Sequence, residues 1–175
     1  MTNRLMMTAV LGIALWAWGC GASIKAPTMA GGKKITIQVL SDRGITEGMP
    51  QDMVDQRNQL GQWMENDLID ILKDAGYEAA VIQKREEFKA EAGKYLLAVK
   101  IVKYNPGSKA ARMVVGFGAG AASLDTHYDL FGDAADPILA KDHGVGSGRD
   151  WNYCARKLNE DMTKAVSDKL AEINK

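Results

Sequence analysis

Two stretches of helical periodicity bracket this chain and limit its fold more than any other feature. From Gln51 to Ala75, the residues Met53, Leu60, Met64, Leu68, Ile71, Leu72 and Ala75 recur at spacings of three, four and seven. They form one apolar stripe, bordered by Trp63. Asp52 and Asp55 sit in the first turn, where carboxylates suit the helix dipole, and Gly76 stands where a helix cap needs φ > 0. Gly61 inside the stretch weakens it by up to about 1 kcal/mol. From Trp151 to Ile173 a second stripe runs through Trp151, Cys154, Leu158, Met162, Val166, Leu170 and Ile173, with Asp150 as its N-cap. A helix with one apolar stripe must bury it against something else.

The segments between the helices alternate with period two. In Lys33–Leu40, Ile35, Ile37 and Val39 share one face and Thr36 and Gln38 the other. Ser41–Pro50 is a polar loop, and Tyr77–Gln83 a short strand. Lys84–Gly93 is charged and reads as a solvated helical turn. Tyr95–Tyr104 carries aliphatic residues on both faces and suits a central strand. In Leu124–Phe131, Leu124, Thr126, Tyr128 and Leu130 face one way, and Asp125, His127 and Asp129 the other. A turn over Gly132–Pro137 leads into a returning strand, Ile138–His143. The glycine-rich GVGSGRD, 144–150, then reads as a flexible connector into the second helix. The order strand, helix, four strands, helix predicts an α+β two-layer α/β sandwich. Its sheet is mixed or antiparallel, of about five strands, with both long amphipathic helices on one face and the other face free for a partner.

The first residues lie outside that domain. Arg4 precedes an apolar run from Leu5 to Trp18, too short to span a bilayer comfortably and right for a signal h-region. Ala17-Trp18-Gly19-Cys20 ends the run. A lipobox with Cys20 acylated, an ordinary cleavage after Ala-x-Gly that releases a secreted protein, and an uncleaved anchor are the three readings. The lipobox reading divides the chain into a signal peptide over 1–19, a flexible tether over 20–32 and one α/β domain over 33–175. Its partner is the membrane, through lipid on Cys20. Gly21 after Cys20, with no Asp there, favours the outer membrane facing the periplasm. Two or more acyl chains anchor stably without help from a basic surface. The only other cysteine, Cys154, is left without a partner and falls on the second helical stripe as a small buried residue.

Between the third and fourth strands lies the least ordinary stretch, NPGSKAARMVVGFGAGAAS, 105–123. Asn105-Pro106-Gly107 is turn chemistry. Gly116, Gly118 and Gly120 alternate, which gives an extended segment one face without side chains and demands a neighbour close against it. Gly116, Gly118 and Ala121 formally fit G-x-G-x-x-A, but a strand follows where a dinucleotide fingerprint needs a helix. The turn residues Gly107, Ser108 and Arg112, the run Val115–Ala122 and the later Asp133-Ala134-Ala135 resemble the bacterial envelope lipoproteins called domain of unknown function 4410. That resemblance implies an envelope lipoprotein without an established activity, and it supplies no catalytic residues. Gly107, Ser108, Arg112, Gly116, Gly118 and Gly120 are the candidate packing or interaction residues.

Composition narrows the function further. Twenty-two basic and twenty-two acidic residues balance, unlike a nucleic-acid binder. The D-x-H-x-D row at 125–129 places three potential ligands on one strand face, but neighbours on one strand rarely close a coordination sphere. No cofactor or metal is expected. A hydrolase would have to draw on His127 or His143 with Ser108 or Ser147, and no spacing supports that. The expected function is a non-enzymatic, membrane-anchored adaptor or assembly component that contacts an envelope protein. A small-ligand or glycan module using loops 41–50 and 144–149 is the alternative.

Overall fold

A computed structural model describes residues 24–108 and 120–174. The elements are β1 (Thr36–Asp42), α1 (Gln51–Asp74), β2 (Glu78–Ile82), β3 (Lys94–Asn105), β4 (Ala122–Phe131), β5 (Leu139–Ser147) and α2 (Trp151–Ile173). The strands form one sheet in the order β2-β1-β3-β4-β5. β1 is parallel to both β2 and β3, while β3–β4 and β4–β5 are antiparallel. The expected two-layer α+β sandwich with a five-stranded mixed sheet is what the chain forms. β3 is its middle strand, as its two apolar faces require.

Both helices lie on one face of the sheet and divide its core along the strand axis. At one end, Leu68 and Leu72 of α1 and Met162, Val166 and Leu170 of α2 close over Ile37, Leu97, Tyr128 and Leu130. At the other, Leu60, Met64, Cys154 and Leu158 cover Ile101, Ala122 and Leu124. Cys154 is buried, and its thiol donates to the Ala122 carbonyl at 3.7 Å. α1 stops as Gly76 predicts. Gly76 has φ +103°, its N–H donates to Lys73 O, and Tyr77 N–H donates to Leu72 O. α2 starts at Asp150, whose carboxylate accepts Tyr153 N–H at 3.2 Å.

Four expectations are corrected. Met53 and Ile173 belong to the sequence stripes but stand 42% and 45% exposed, because each lies in a terminal turn beyond the sheet's cover. The opposite sheet face is not wholly free: Phe88, after a 3-10 turn at Arg85–Glu87, packs on Leu96, Ile82 and Phe131, and Arg85 sits 4.0 Å over the Phe131 ring. Residues 144–147 are not a connector. They extend β5, pairing Gly144 with Asp125 and Ser147 with Ala122. A side chain on Gly144 would stand 2.4 Å from the Asp125 carboxylate, so glycine here makes room for a cross-strand neighbour. Finally, residues from Ile24 onward are docked rather than loose. Ile24, Ala26 and Met29 pack on the core, and Ala26 N–H donates to Ala75 O at 2.7 Å.

Candidate functional site

The strand directions place the chain's unusual features at one end of the sandwich. β3 finishes there, β4 and α1 begin there, and β5 delivers the chain to α2. The β3–β4 connection is clamped at its base. Gly107 N–H donates to Asn105 Oδ1 at 3.0 Å, an Asx turn, while Asn105 Nδ2 donates to Ala121 O. Ser108 N–H donates to Gly120 O at 2.9 Å. Gly107 and Gly120 hold φ of +75° and +70°, and a Cβ on Gly107 would lie 2.6 Å from Gly120 O. Of the candidate packing or interaction residues, Gly107, Ser108 and Gly120 meet at this base. Arg112, Gly116 and Gly118 lie outside the described residues, as does Cys20.

The same end holds a buried cation that the sequence stripe did not reveal. Arg57, 7% exposed, projects from α1 and donates to the carbonyls of Arg43, Ile101 and Val102, at 2.9, 3.2 and 3.5 Å. The Ile101 and Val102 carbonyls lie where the β3–β4 register shifts between Ile101 and Lys103, a bulge that leaves ladder groups unpaired. Gly44, φ +62°, completes the arrangement, since a Cβ there would lie 2.0 Å from Ile101 O and 2.6 Å from the Arg57 guanidinium. Gly61 also finds its reason: the Arg43 side chain crosses it, held by Asn58 at 2.8 Å and Glu65 at 3.6 Å. Among the described residues, the exposed large apolar side chains around this end are Ile45, Met53, Val102 and Tyr153.

On the sheet face opposite the helices, charges form a row across β1, β3, β4 and β5. Lys100 pairs with Asp42 at 3.4 Å. His127 directs Nδ1 at Asp142, 2.7 Å away, and Nε2 at Asp129, 3.3 Å away. The hydrogen bond to Asp142, aided by the Asp129 charge, raises the imidazole above its usual pKa of 6.5. His127 and Asp129 of the D-x-H-x-D row thus form a solvent-facing ion-pair cluster with Asp142 of β5. Among the described residues, no group of three or more His, Cys, Asp or Glu is placed to hold a metal ion.

His143 and Ser147, two of the residues a hydrolase would draw on, bond other groups. His143 faces α2 and bonds Asp161 at 3.0 Å. Burial pushes the Asp161 carboxyl up, but Lys157 and His143 overcome it and leave the group below its usual range. Ser147 Oγ accepts Arg149 N–H. Arg149 stacks 4.6 Å over Tyr153, and Asp150 occupies the helix N–H that an anion would need.

Between the helices lies a further polar contact. Asn159 Nδ2 donates to Met64 O at 3.1 Å and to Asp67 Oδ2 at 2.9 Å, and Arg156 donates to Asp67 Oδ1 at 2.8 Å. Ala155, Asn159, Thr163 and Ser167, all buried, form a second ridge on α2 at spacings of four. That spacing is the signal which could have revealed it.

No helix among the described residues is long and apolar enough to cross a membrane. No curated protein matches the chain. A solved dodecamer of a PelC variant from Paraburkholderia phytofirmans has a TM-score of 0.53 at 11% identity, covering 82% of this chain and 95% of that one. At that identity the likeness shows a shared fold. A second PelC dodecamer from the same organism gives 0.42 at 12% identity, over 84% of this chain and 93% of that one. A minor lipoprotein from Acinetobacter baumannii gives 0.30 at 10% identity, over 78% and 93%. The pattern of one family, domain of unknown function (DUF4410), matches residues 29–172, and the chain belongs to that family.

Proposed function

We propose that this protein is a lipoprotein of the bacterial envelope, anchored through acylated Cys20, and that it acts as a non-enzymatic assembly component through protein–protein contacts. The observation that carries the reading is the division of labour in the sandwich. One sheet face is sealed by two helices, while the other and the β3–β4 end present charges and apolar side chains to the surroundings. Such a mixed surface suits contact with protein better than a deep pocket would. One solved fold neighbour, a PelC variant, is a dodecamer, so copies of this chain are the first partner to consider. Outer-membrane placement follows from Gly21 after Cys20.

The test is isolation of the full chain from membranes in mild detergent, with intact mass and particle mass measured together. A mature chain beginning at acylated Cys20, in a complex of fixed stoichiometry, is the expected result. A bare thiol at Cys20 or a different first residue removes the anchor. A solitary monomer that retains no partner removes the assembly role.

A further inference from the structure

We propose that residues 24–32 are an orienting strap, which holds one end of the sandwich against the anchoring bilayer and turns the β3–β4 end away from it. The inference rests on the acylation of Cys20 proposed above and adds an orientation to it. The strap is seated by more than chance contact. Ala26 N–H closes on Ala75 O at 2.7 Å, and Ile24, Ala26 and Met29 are packed on the core beside Ala75 and Tyr77. The Met29 thioether occupies the space over Gly93, where a Cβ would lie 2.2 Å from its sulfur. Gly93 holds φ +80° and accepts Thr36 N–H on its carbonyl, so strap, β1 and β3 meet there.

This seat is at the end where α1 and α2 finish and β1 and β3 begin. Only Gly21, Ala22 and Ser23 separate Cys20 from Ile24. Four extended residue steps reach at most about 14 Å. The strap end is therefore confined to the lipid headgroup region. β3 has twelve residues and rises roughly 36 Å, which carries Asn105 and the clamped base of the glycine-rich connection to the far end. Ile45, Met53, Val102 and Tyr153 stand at that far end, out of reach of the anchoring lipid and available to a protein partner. A loose leash from Cys20 to Lys33 would permit every orientation; a docked one does not.

The experiment uses the full acylated chain in phosphatidylethanolamine–phosphatidylglycerol vesicles, with Cys154→Ala as background and one fluorophore per variant. Asp136→Cys reports from the exposed β4–β5 turn at the strap end, and Glu47→Cys from the loop after β1. A headgroup-bound quencher is expected to quench position 136 several-fold more than position 47. Ten Gly/Ser residues inserted after Ser23 are expected to lower that contrast, because they turn the three-residue link into a leash long enough to permit every orientation, and Met29→Asp without the insertion is expected to lower it by unseating the strap. Equal quenching at the two positions, or stronger quenching at 47, overturns the orientation. Intact mass on the same sample separates this from the anchor: an unacylated chain overturns the anchor and with it the orientation. The strap is then judged in the unacylated chain by hydrogen exchange. Protection of the Ala26 amide close to that of β1 upholds the seat, and exchange at the rate of an open chain overturns it.

Discussion

Gly44 and Arg57 show how single positions sustain the β3 bulge. Replacing Gly44 by Ala asks an L side chain to hold φ +62° with its Cβ against the Ile101 carbonyl. Gly44→Ala is expected to cost about 3 kcal/mol in urea unfolding, at the upper range for backbone strain. Arg57→Met keeps the apolar stem and removes the donors, leaving three carbonyls short of a partner; about 3 kcal/mol is expected by the same measurement. Neither role was legible in the sequence. Arg57 lies within a helix pattern whose apolar residues predict the buried side, and a cation is buried only when unpaired acceptors elsewhere call for it. His127 gives a pH signature. Its folded pKa lies above 6.5, so its stabilisation is complete below 6.5 and is lost as pH rises through the folded value. Unfolding free energy should therefore decline across that window in the native chain, and His127→Gln should flatten the decline. An unchanged profile would show that the two carboxylates do not act on it. The effect is modest because the imidazole is 38% exposed.

Among the elements, the α1–α2 contact tests which charges matter. Asp67 is 9% exposed and receives Asn159 and Arg156, whereas the Arg156 side chain is 58% exposed. Asp67→Ala strips a buried amide of one acceptor and should cost about 2 kcal/mol. Arg156→Ala removes a solvated partner and should cost under about 1 kcal/mol. Chemical denaturation of both variants separates the cases; equal losses would mean that the exposed arginine carries the contact. The strands were legible wherever periodicity was strong. β4 buries Leu124, Thr126, Tyr128 and Leu130, the alternation its sequence shows. β5 was legible only to His143, since Gly144 and Gly146 carry no alternating signal. Their pairing depends on Asp125 and Ser123 across the ladder.

For the whole molecule, the two ends of the sandwich differ in what they offer. One bears the docked strap; the other bears the clamped connection and exposed apolar residues. If the glycine run, whose inner positions lie outside the described residues, is a site of close approach, Gly118→Val should weaken folding or assembly. Unchanged melting together with unchanged complex mass would remove that role. The family matches from residue 29, within the strap, in keeping with a segment that folds with the domain.

The amino-acid sequence alone determined the helices, most strands, the layer arrangement and the family, because periodicity and turn chemistry act between residues close along the chain. It also marked Cys20 and the turn at Asn105–Gly107 in the same local way. Only the tertiary structure decided that residues 24–32 are docked, that Arg57 serves a strand bulge, and that the far sheet face is part covered. Those outcomes rest on which carbonyl or cavity lies opposite a residue, and that is set by contacts far apart in the chain.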